Sequence, residues 1–408
     1  MQYFRSNTRP AGSVGATAVV PAVVISLLIM AGPARAAYTY TELSLGLSNP
    51  EVSGINNFKT IIGSGGTNTN SVGFTHTAGS TQSVIPTGWS EAYAKGISTN
   101  SYIAGSGVSG AGIGMGFIKM GATYVTLLPA GYSGACAQGV NSNGVTVGHG
   151  YGEATGYANR GFMYTLGASS PYRELLPPAW TDSWAMAINN SGTVVGYGLV
   201  DSYYKGFIYN GTSYTELLPS GWTDAYALAI NGSGTVVGFG IEGGVEKGFL
   251  YNGSSYRTIL PAGWLSARAL AVNSKGSVVG CGFDATGKKK GFVLANGIYT
   301  EILPAEGWLD AEATGVNDFG VIAGWGTDPN GNVKGFIAEL QGFCECDLNN
   351  DGRCNMVDWV LFGRGWGRTN CNTQLPACEC DLNGDGRCNM VDWVLFGRSW
   401  GRTNCPRQ

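Results

Sequence analysis

The chain has 408 residues, a formal net charge of −3 and only 12% charged residues. This composition lacks the basic clusters that bind nucleic acids or anionic membranes, so neither is expected as the main partner. Glycine contributes 66 residues and proline only 15. The glycines recur among Val, Ile, Tyr and Phe, which is typical of a turn-rich β protein rather than of a disordered chain.

The N-terminal region predicts export. An apolar stretch at 22–32 follows two arginines, is too short to span a bilayer, and precedes a small-x-small cleavage site at 34–36. We therefore predict a signal peptide at 1–36, with a membrane anchor as the alternative. Eight of the ten cysteines lie between 344 and 405, which indicates disulfides in an oxidising compartment. The mature chain is expected to be extracellular without a membrane span, either free or held at a cell surface.

The dipeptide Gly-Phe divides the body of the chain into seven repeats. Successive copies are 42 to 45 residues apart, and β-rich repeats with periods of about 40–50 residues are typical of propeller blades. The copies are Gly73-Phe74, Gly116-Phe117, Gly161-Phe162, Gly206-Phe207, Gly248-Phe249, Gly291-Phe292 and Gly335-Phe336.

The repeat at 225–264 shows how one blade is built. It divides into four strand candidates, AYALAI, GTVVGFG, KGFLYN and YRTILP, which are separated by turn residues. Asn231 opens the first turn, and Asn and Gly tolerate the positive φ that a tight hairpin requires. Equivalent asparagines open this turn in other repeats, at Asn56, Asn141, Asn189, Asn273 and Asn317.

The two ends of the body predict a closed ring. The last repeat stops after KGFIAEL without a fourth strand, whereas residues 38–46, YTYTELSLG, match the fourth strand at 213–221. The N-terminal strand should therefore complete the last blade and remove the free sheet edges. We predict an all-β fold, a seven-bladed β-propeller over 38–341 closed by its N-terminal strand. An open solenoid is the alternative.

The repeats resemble the HAF family of bacterial extracellular repeats. The motif that carries this resemblance is A-x-N-x-x-G-x-V-V-G followed by Gly-Phe, and it covers about residues 50–340. The resemblance implies an exported β protein and no particular activity.

Two positions vary among the repeats while their neighbours stay fixed. One lies in the V-G-x-G strand and the other in the A-x-A strand. They are expected to form either two rings around the channel, as an aromatic sugar-binding surface, or packing between blades. The first series is Ser64, Ser106, His149, Tyr197, Phe239, Cys281 and Trp325, and the second is Glu51, Tyr93, Cys136, Trp184, Tyr226, Arg268 and Glu312. The ligand-binding candidates among them are Glu51, Arg268, Glu312, Trp325 and Tyr197.

A third aromatic series lies in the links between blades, and it could either stack sugars or wedge neighbouring blades together. Its members are Trp89, Tyr132, Trp180, Trp222, Trp264 and Trp308. Catalysis is not expected, because the chain has only two histidines and contains no recognisable catalytic set. If the protein were an enzyme, Glu51 and Glu312 could form the pair of acids of an O-glycosyl hydrolase, which lie about 5–10 Å apart.

The C-terminal region contains two nearly identical acidic loops, DLNNDGRCNMVDW at 347–359 and DLNGDGRCNMVDW at 381–393. Oxygen-bearing side chains at positions 1, 3 and 5, Gly at position 6 and a backbone carbonyl at position 7 are the pattern of a calcium loop. A pair of solvated turns is the alternative. Two calcium ions are predicted, held by Asp347, Asn349, Asp351, Arg353, Asn355, Asp358, Asp381, Asn383, Asp385, Arg387, Asn389 and Asp392.

This tandem pattern resembles a type I dockerin, a module of two F-hand calcium repeats, over residues 344–408. The resemblance implies a small α-helical domain that binds a cohesin domain on a scaffold or cell surface through loop positions 10 and 11 and the following helix. Because the two halves differ at only two of 25 aligned positions, we expect binding in either of two orientations. Carried onto this sequence, the partner-binding residues are Met356, Val357, Arg364, Met390, Val391 and Arg398.

The cysteines of each half follow the pattern C-x-C-x7-C-x16-C. Zinc is the alternative to disulfides, but the predicted export favours disulfides, and the repeat of the pattern favours two bridges within each half. The sequence as a whole predicts a secreted binding or structural protein, anchored through the calcium-dependent module, whose propeller is a scaffold for a ligand such as carbohydrate. A docked polysaccharide-degrading enzyme is the alternative.

Overall fold

The structure, a computed structural model, describes residues 38–67, 70–304, 307–340, 346–349, 351–369, 371, 378, 380–382, 387–397 and 399–402. The signal peptide predicted at 1–36 lies outside the described residues. Within them, 28 strands form seven four-stranded antiparallel sheets, and two helices follow. The prediction of a seven-bladed β-propeller followed by a small helical region is confirmed. Of the described residues, none belongs to a helix with the length and apolar character needed to cross a membrane.

Each blade consists of four strands that run from the propeller axis outwards. The innermost strands are β2 (Ser48–Ile55), β6 (Trp89–Ile97), β10 (Gly134–Val140), β14 (Asp182–Ile188), β18 (Trp222–Ile230), β22 (Arg268–Val272) and β26 (Asp310–Val316). The second strands are β3 (Ile61–Gly66), β7 (Ile103–Ser109), β11 (Val145–Tyr151), β15 (Val194–Val200), β19 (Val236–Glu242), β23 (Val278–Phe283) and β27 (Ile322–Thr327).

The outer half of each blade contains the Gly-Phe strand and a short edge strand. The third strands are β4 (Ser71–Thr77), β8 (Gly114–Met120), β12 (Arg160–Thr165), β16 (Tyr203–Tyr209), β20 (Val245–Tyr251), β24 (Lys289–Ala295) and β28 (Val333–Leu340). The outermost strands are β5 (Ser80–Val84), β9 (Thr123–Leu127), β13 (Tyr172–Leu175), β17 (Tyr214–Leu217), β21 (Tyr256–Ile259), β25 (Ile298–Ile302) and, for the seventh blade, β1 (Tyr38–Glu42).

The N-terminal strand closes the ring, as predicted. β1 pairs antiparallel with β28, in a register that places Tyr38 opposite Leu340 and Glu42 opposite Phe336. The strand ends at Glu42 instead of continuing to residue 46, because Leu43 and Leu45 turn inwards and are buried against the first blade. The open solenoid is therefore excluded.

Each innermost strand contains a β-bulge that determines the V-G-x-G motif of the next strand. In the fifth blade the register shifts between Ala227 and Ala229, and the bulge brings a carbonyl oxygen towards Gly238. A Cβ on Gly238 would lie 1.9 Å from the carbonyl oxygen of Tyr226, so only glycine fits there. The backbone of the inner strand therefore occupies the space beside Gly238.

The phenylalanines of the Gly-Phe motif form the core between blades. All seven are at most 1% exposed, and in five blades an aromatic residue of the link packs edge-on against the phenylalanine, with ring centroids 5.9–6.2 Å apart. These tryptophans are Trp89, Trp180, Trp222, Trp264 and Trp308. The contacts support the wedge interpretation of the third aromatic series for these five.

The asparagine that begins six of the seven inner turns has a different role from the one predicted. In the fifth blade the residue with positive φ is Gly234, three positions after Asn231. Asn231 is buried; its Oδ1 accepts hydrogen bonds from the backbone N–H groups of Ser233 and Thr235, and its Nδ2 donates to the carbonyl oxygen of Asn273 in the next blade at 2.9 Å. The same inter-blade bond recurs from Asn141, Asn189, Asn273 and Asn317. These asparagines therefore join neighbouring blades around the axis.

The C-terminal region forms a small helical unit, with α1 (Met356–Arg364) and α2 (Met390–Gly397). Phe362 and Phe396 lie at its centre, each 1% exposed, among buried cysteines. Disulfides join Cys346 to Cys354, Cys380 to Cys388 and Cys371 to Cys378. The prediction of two bridges within each half is therefore wrong: Cys371–Cys378 joins the halves. Cys344 and Cys405 lie outside the described residues.

Candidate functional site

The two variable series of the propeller lie directly opposite each other on neighbouring strands. Cross-strand pairing places Trp184 opposite Tyr197 and Tyr226 opposite Phe239. The other pairs are Glu51–Ser64, Tyr93–Ser106, Cys136–His149, Arg268–Cys281 and Glu312–Trp325. The two predicted rings are thus a single band of cross-strand pairs.

In the fourth and fifth blades this band is a continuous aromatic ladder. The ring centroids of Trp184 and Tyr197 are 5.3 Å apart, those of Tyr197 and Tyr226 are 5.0 Å apart, and those of Tyr226 and Phe239 are 4.7 Å apart. Each ring is partly exposed. Burial, together with the charge of Asp224, raises the pKa of Tyr226 to about 12, so its hydroxyl group remains protonated and can donate a hydrogen bond.

The sixth and seventh blades continue the band with charges. The guanidinium group of Arg268 lies 4.6 Å from the ring centroid of Phe239, and it forms a bidentate pair with Glu246, with both N–O distances at 2.7 Å. Lys289 pairs with Glu312 and lies 5.9 Å from the ring centroid of Trp325. The predicted group of three charges is therefore divided: Arg268 and Glu312 each have a partner on the preceding blade.

Sequence reasoning missed a third variable position, two residues before each Gly-Phe. In the fourth, fifth and sixth blades this position supplies Tyr204, Glu246 and Lys289, and each contacts the band. The signal was present, because the residue type changes from blade to blade. We define the belt as Trp184, Tyr197, Tyr204, Tyr226, Phe239, Glu246, Arg268, Lys289, Glu312 and Trp325.

The remaining propeller candidate, Glu51, is in the first blade, next to the seventh-blade end of the belt. Its carboxylate is exposed. Its strand, β2, lies beside β26, as shown by the distance of only 3.0 Å between a Cβ placed on Gly315 and the Cα of Gly54. Glu51 and Glu312 are therefore at equivalent positions on adjacent strands, as predicted for neighbouring blades. Glu312 is already paired with Lys289, so the structure does not present the two acids as an isolated pair.

The first acidic loop folds around its own carboxylates. Asp347 accepts hydrogen bonds from the N–H groups of Asp351 and Gly352, and Asn349 accepts one from Asp351. Burial, with the nearby charges of Asp358 and Asp351, raises the pKa of Asp347. A cation in the loop would offset this repulsion, so the donor chemistry fits calcium.

Two of the predicted ligands in each loop also hold the following helix. Asn355 caps α1 by accepting a hydrogen bond from the N–H group of Val357, and Asn389 caps α2 through Val391. Asp358 and Asp392, at position 12, are 0% exposed and accept backbone N–H groups from both ends of their loops. Position 12 therefore closes each loop onto its helix.

Acidic, cysteine and histidine side chains alone do not form a complete ligand set for a metal ion in the described parts of these loops. Across the described part of the chain, no group of three such residues is positioned to hold a metal ion, so the first loop needs the amide of Asn349 and the carbonyl of Arg353 as well. In the second loop, Asn383 and Asp385 lie outside the described residues. Asp381 and Arg387 are described, at either end of that gap.

The predicted partner-binding residues lie on an exposed apolar surface. Met356 is 63% exposed and Met390 is 62% exposed, and Val357, Val391 and Arg364 are exposed beside them. A cleft of about 420 Å³ between the helices is lined by Trp359, Trp393 and Trp400, among others. Such a patch on a small domain is typical of a protein–protein contact. Arg398 lies outside the described residues.

Comparisons with known proteins give one family match and several likenesses to solved structures. No curated protein matches the chain. A solved prolyl endopeptidase matches at 12% identity with a TM-score of 0.50, over 72% of this chain and 50% of that one. Pyrococcus horikoshii acylaminoacyl peptidase matches at 12% identity with a TM-score of 0.48, over 71% and 51%. Aleuria aurantia lectin matches at 9% identity with a TM-score of 0.36, over 62% and 95%.

These likenesses concern the fold alone, and the chain spans about half the length of the two peptidases. The family match is more specific. The model of the dockerin type I domain matches residues 345–397, a range that includes both acidic loops and both helices. Residues 345–397 of this chain are therefore a type I dockerin domain, a calcium-binding module that follows a seven-bladed propeller.

Proposed function

We propose that this protein is a secreted, non-catalytic binding protein that its dockerin domain attaches, in the presence of calcium, to a cohesin domain on a scaffold or cell surface. The observation that carries this proposal is the exposed apolar surface formed by Met356 and Val357 with Met390 and Val391, on a domain that matches type I dockerins. The proposed boundaries are 38–341 for the propeller and 344–408 for the module.

Two calcium ions, one in each loop, are part of this proposal. The first loop would use Asp347, Asn349, Asp351 and the carbonyl oxygen of Arg353, with Asp358 closing it. The second loop repeats this sequence at all these positions. Each ion would neutralise clustered carboxylates and fix the start of a helix that presents partner-binding residues.

The belt is proposed to bind carbohydrate. Partly exposed aromatic rings such as Tyr197 and Trp325 can stack on the apolar face of a sugar ring. The Arg268–Glu246 pair and Lys289 place charged hydrogen-bonding groups beside those rings, and such groups can orient hydroxyls. The belt extends over the fourth to seventh blades.

A glycoside hydrolase activity has no comparable support. The two acids that would be required, Glu51 and Glu312, differ in their surroundings, since Glu312 is held by Lys289 and Glu51 faces solvent. The solved structures that resemble the propeller include peptidases and lectins, and at these identities they indicate only the fold. We therefore assign the propeller a binding role.

Two measurements test the proposal. A purified type I cohesin domain should bind the full chain with calcium and be released by a chelator; chelator-insensitive binding would argue against the calcium-dependent mode. On a glycan array, wild type should bind polysaccharide fragments without releasing reducing sugar, and Tyr204→Ala should weaken that binding. Tyr203→Ala is the matched control, because adjacent strand residues face opposite sides of a sheet. Equal effects of the two substitutions would reject the belt.

A further inference from the structure

The two repeats of the dockerin domain are nearly identical in sequence but not in surroundings. Leu395 of α2 is 1% exposed and belongs to an apolar cluster of the propeller that includes Leu43 and Phe319. Leu382, at the second position of the second loop, packs against the same cluster. Leu361, the equivalent of Leu395 in α1, is only partly buried. The second repeat is therefore the one that makes the apolar contact with the propeller.

This contact lies at the axial end where the inner turns of the blades meet. A cavity of about 570 Å³ is lined by inner-turn residues from all seven blades, among them Asn57, Ser142 and Asp318, and also by Thr369 and Arg387 of the dockerin domain. Two independent observations, an apolar contact and a shared polar cavity, thus place the domain over this mouth of the channel.

The belt lies away from this mouth. Trp184 precedes Asn189, at the inner turn, by five residues of the same strand, which corresponds to about 16 Å at 3.3 Å per residue. A partner on the dockerin domain and a ligand on the belt would therefore occupy separate parts of the molecule.

The propeller also limits access to one of the two partner-binding faces. Residues four positions apart lie on the same face of a helix, so Val391 shares its face with the buried Leu395, and Val357 shares its face with the partly exposed Leu361. Val391 is accordingly 37% exposed, against 54% for Val357, whereas the preceding methionines, Met390 and Met356, are exposed to almost the same extent. A cohesin that lies along α2 would meet the propeller, whereas one that lies along α1 would not.

We propose that the propeller selects one of the two orientations that the sequence symmetry offers, so that a cohesin binds through the first repeat. This inference rests on the proposed attachment to a cohesin. It replaces the expectation of two equivalent orientations, which holds only for a dockerin domain without neighbours. The propeller thereby presents the belt in a fixed direction relative to the scaffold.

The test uses the full chain with calcium and a purified type I cohesin domain. Met356→Asp/Val357→Asp should weaken binding by about 100-fold or more, as expected for the centre of an interface. Met390→Asp/Val391→Asp should weaken it by less than about 5-fold. Near-equal effects of the two double substitutions, including tolerance of each one when made alone, would overturn the single orientation and leave the cohesin proposal intact. A wild-type chain that binds no cohesin would overturn both.

A rescue experiment distinguishes steric restriction of cohesin binding by the propeller from a local defect in the second repeat. Leu395 is in the propeller's apolar cluster rather than in the domain's own, which is built on Phe362 and Phe396. Leu395→Lys should detach the second repeat and restore cohesin binding to Met356→Asp/Val357→Asp by about 10-fold or more. Leu361→Lys, the matched substitution in α1, should restore nothing. Absence of rescue in a folded Leu395→Lys chain would reject the propeller as the cause.

Discussion

The propeller and the dockerin domain both consist of repeats, but they use repetition differently. The seven blades differ in sequence and share one geometry, and the variable positions of the fourth to seventh blades come together in the belt. The two calcium repeats are almost identical in sequence, yet among the described residues only the second repeat joins the propeller's apolar cluster, through Leu395 and Leu382. Repetition thus determines local structure in both regions, whereas the surroundings of each copy determine what it can bind.

The two regions also differ in what stabilises them. The propeller buries a phenylalanine in every blade and joins neighbouring blades through asparagine side chains. The dockerin domain has a small apolar core, so its described disulfides and the proposed calcium ions must contribute much of its stability. We therefore expect the two regions to unfold independently.

The largest effect should follow from removing calcium and reducing the disulfides together. The dockerin domain should then lose its fold completely and bind no cohesin, because carboxylates such as Asp347 and Asp351 would repel one another without a cation. The propeller should retain its near-ultraviolet circular dichroism, since its described cysteines, Cys136 and Cys281, are not in disulfides. Joint unfolding of both regions in calorimetry would contradict this separation.

A core substitution should act on the propeller alone. Phe207 is 0% exposed and packs against Trp180 in an edge-on contact at 6.0 Å. Phe207→Ala should lower the free energy of unfolding of the propeller by about 3–5 kcal/mol, measured by urea denaturation, with cohesin binding unchanged. Phe283→Ala is the control, because Phe283 is 45% exposed and its loss should change the stability little. Similar effects of the two would argue against the assigned core.

The stability of the propeller at acid pH should depend on the titration of His149, a neighbour of the belt. Burial lowers the pKa of its imidazole to about 4, and its Nδ1 atom is buried without a hydrogen-bond partner among the described residues. The unfolded chain, with a pKa near 6.5 at this residue, therefore binds the proton more readily. This contribution to stability is complete above about pH 6.5 and disappears as the pH falls towards 4, at a cost of about 3 kcal/mol at most.

His149→Gln should remove this part of the acid dependence. The difference in unfolding free energy between wild type and variant should therefore change between pH 6.5 and 4, as followed by urea denaturation at several pH values. His76, whose pKa burial also lowers, is present in both proteins and cancels in the comparison. A difference that is constant with pH would show that His149 does not titrate in this range.

Much of the fold was predictable from the sequence because it depends on local patterns. The spacing of Gly-Phe gave the blade number, and the match of residues 38–46 to a fourth strand gave the closure. The belt was only partly predictable: the variable positions identified Tyr197 and Arg268, but their partners Tyr204 and Glu246 come from other strands or blades. Cross-strand register, which single-sequence patterns do not give, brings these residues together.

Two predictions are wrong for the same physical reason, because each assumes that a repeated residue makes contacts only within its own copy. The cysteines were paired within each half, whereas Cys371 reaches Cys378 across the boundary. Asn231 was assigned to its own turn as a residue that tolerates positive φ, whereas Gly234 takes that conformation and the asparagine also bonds to the next blade. Contacts between copies cannot be deduced from the sequence of one copy.

The smallest predicted effect tests that inter-blade bond directly. Asn231→Ala would leave the carbonyl oxygen of Asn273 and two backbone N–H groups of the turn without their partner, at a cost of about 1–3 kcal/mol. Asn252 is a close control, because its side chain accepts the same kind of turn hydrogen bonds from Ser254 and Ser255 at an exposed position.

Asn252→Ala should cost less than about 1 kcal/mol, since water can satisfy the exposed turn. Urea denaturation gives the loss of unfolding free energy for each variant. The difference between the two losses measures the bond between blades and the burial of the turn, because the turn hydrogen bonds are common to both sites. If both variants lost the same stability, the asparagines at the axis would be turn residues only, and the blades would be held together by their apolar packing and by the contacts of the belt.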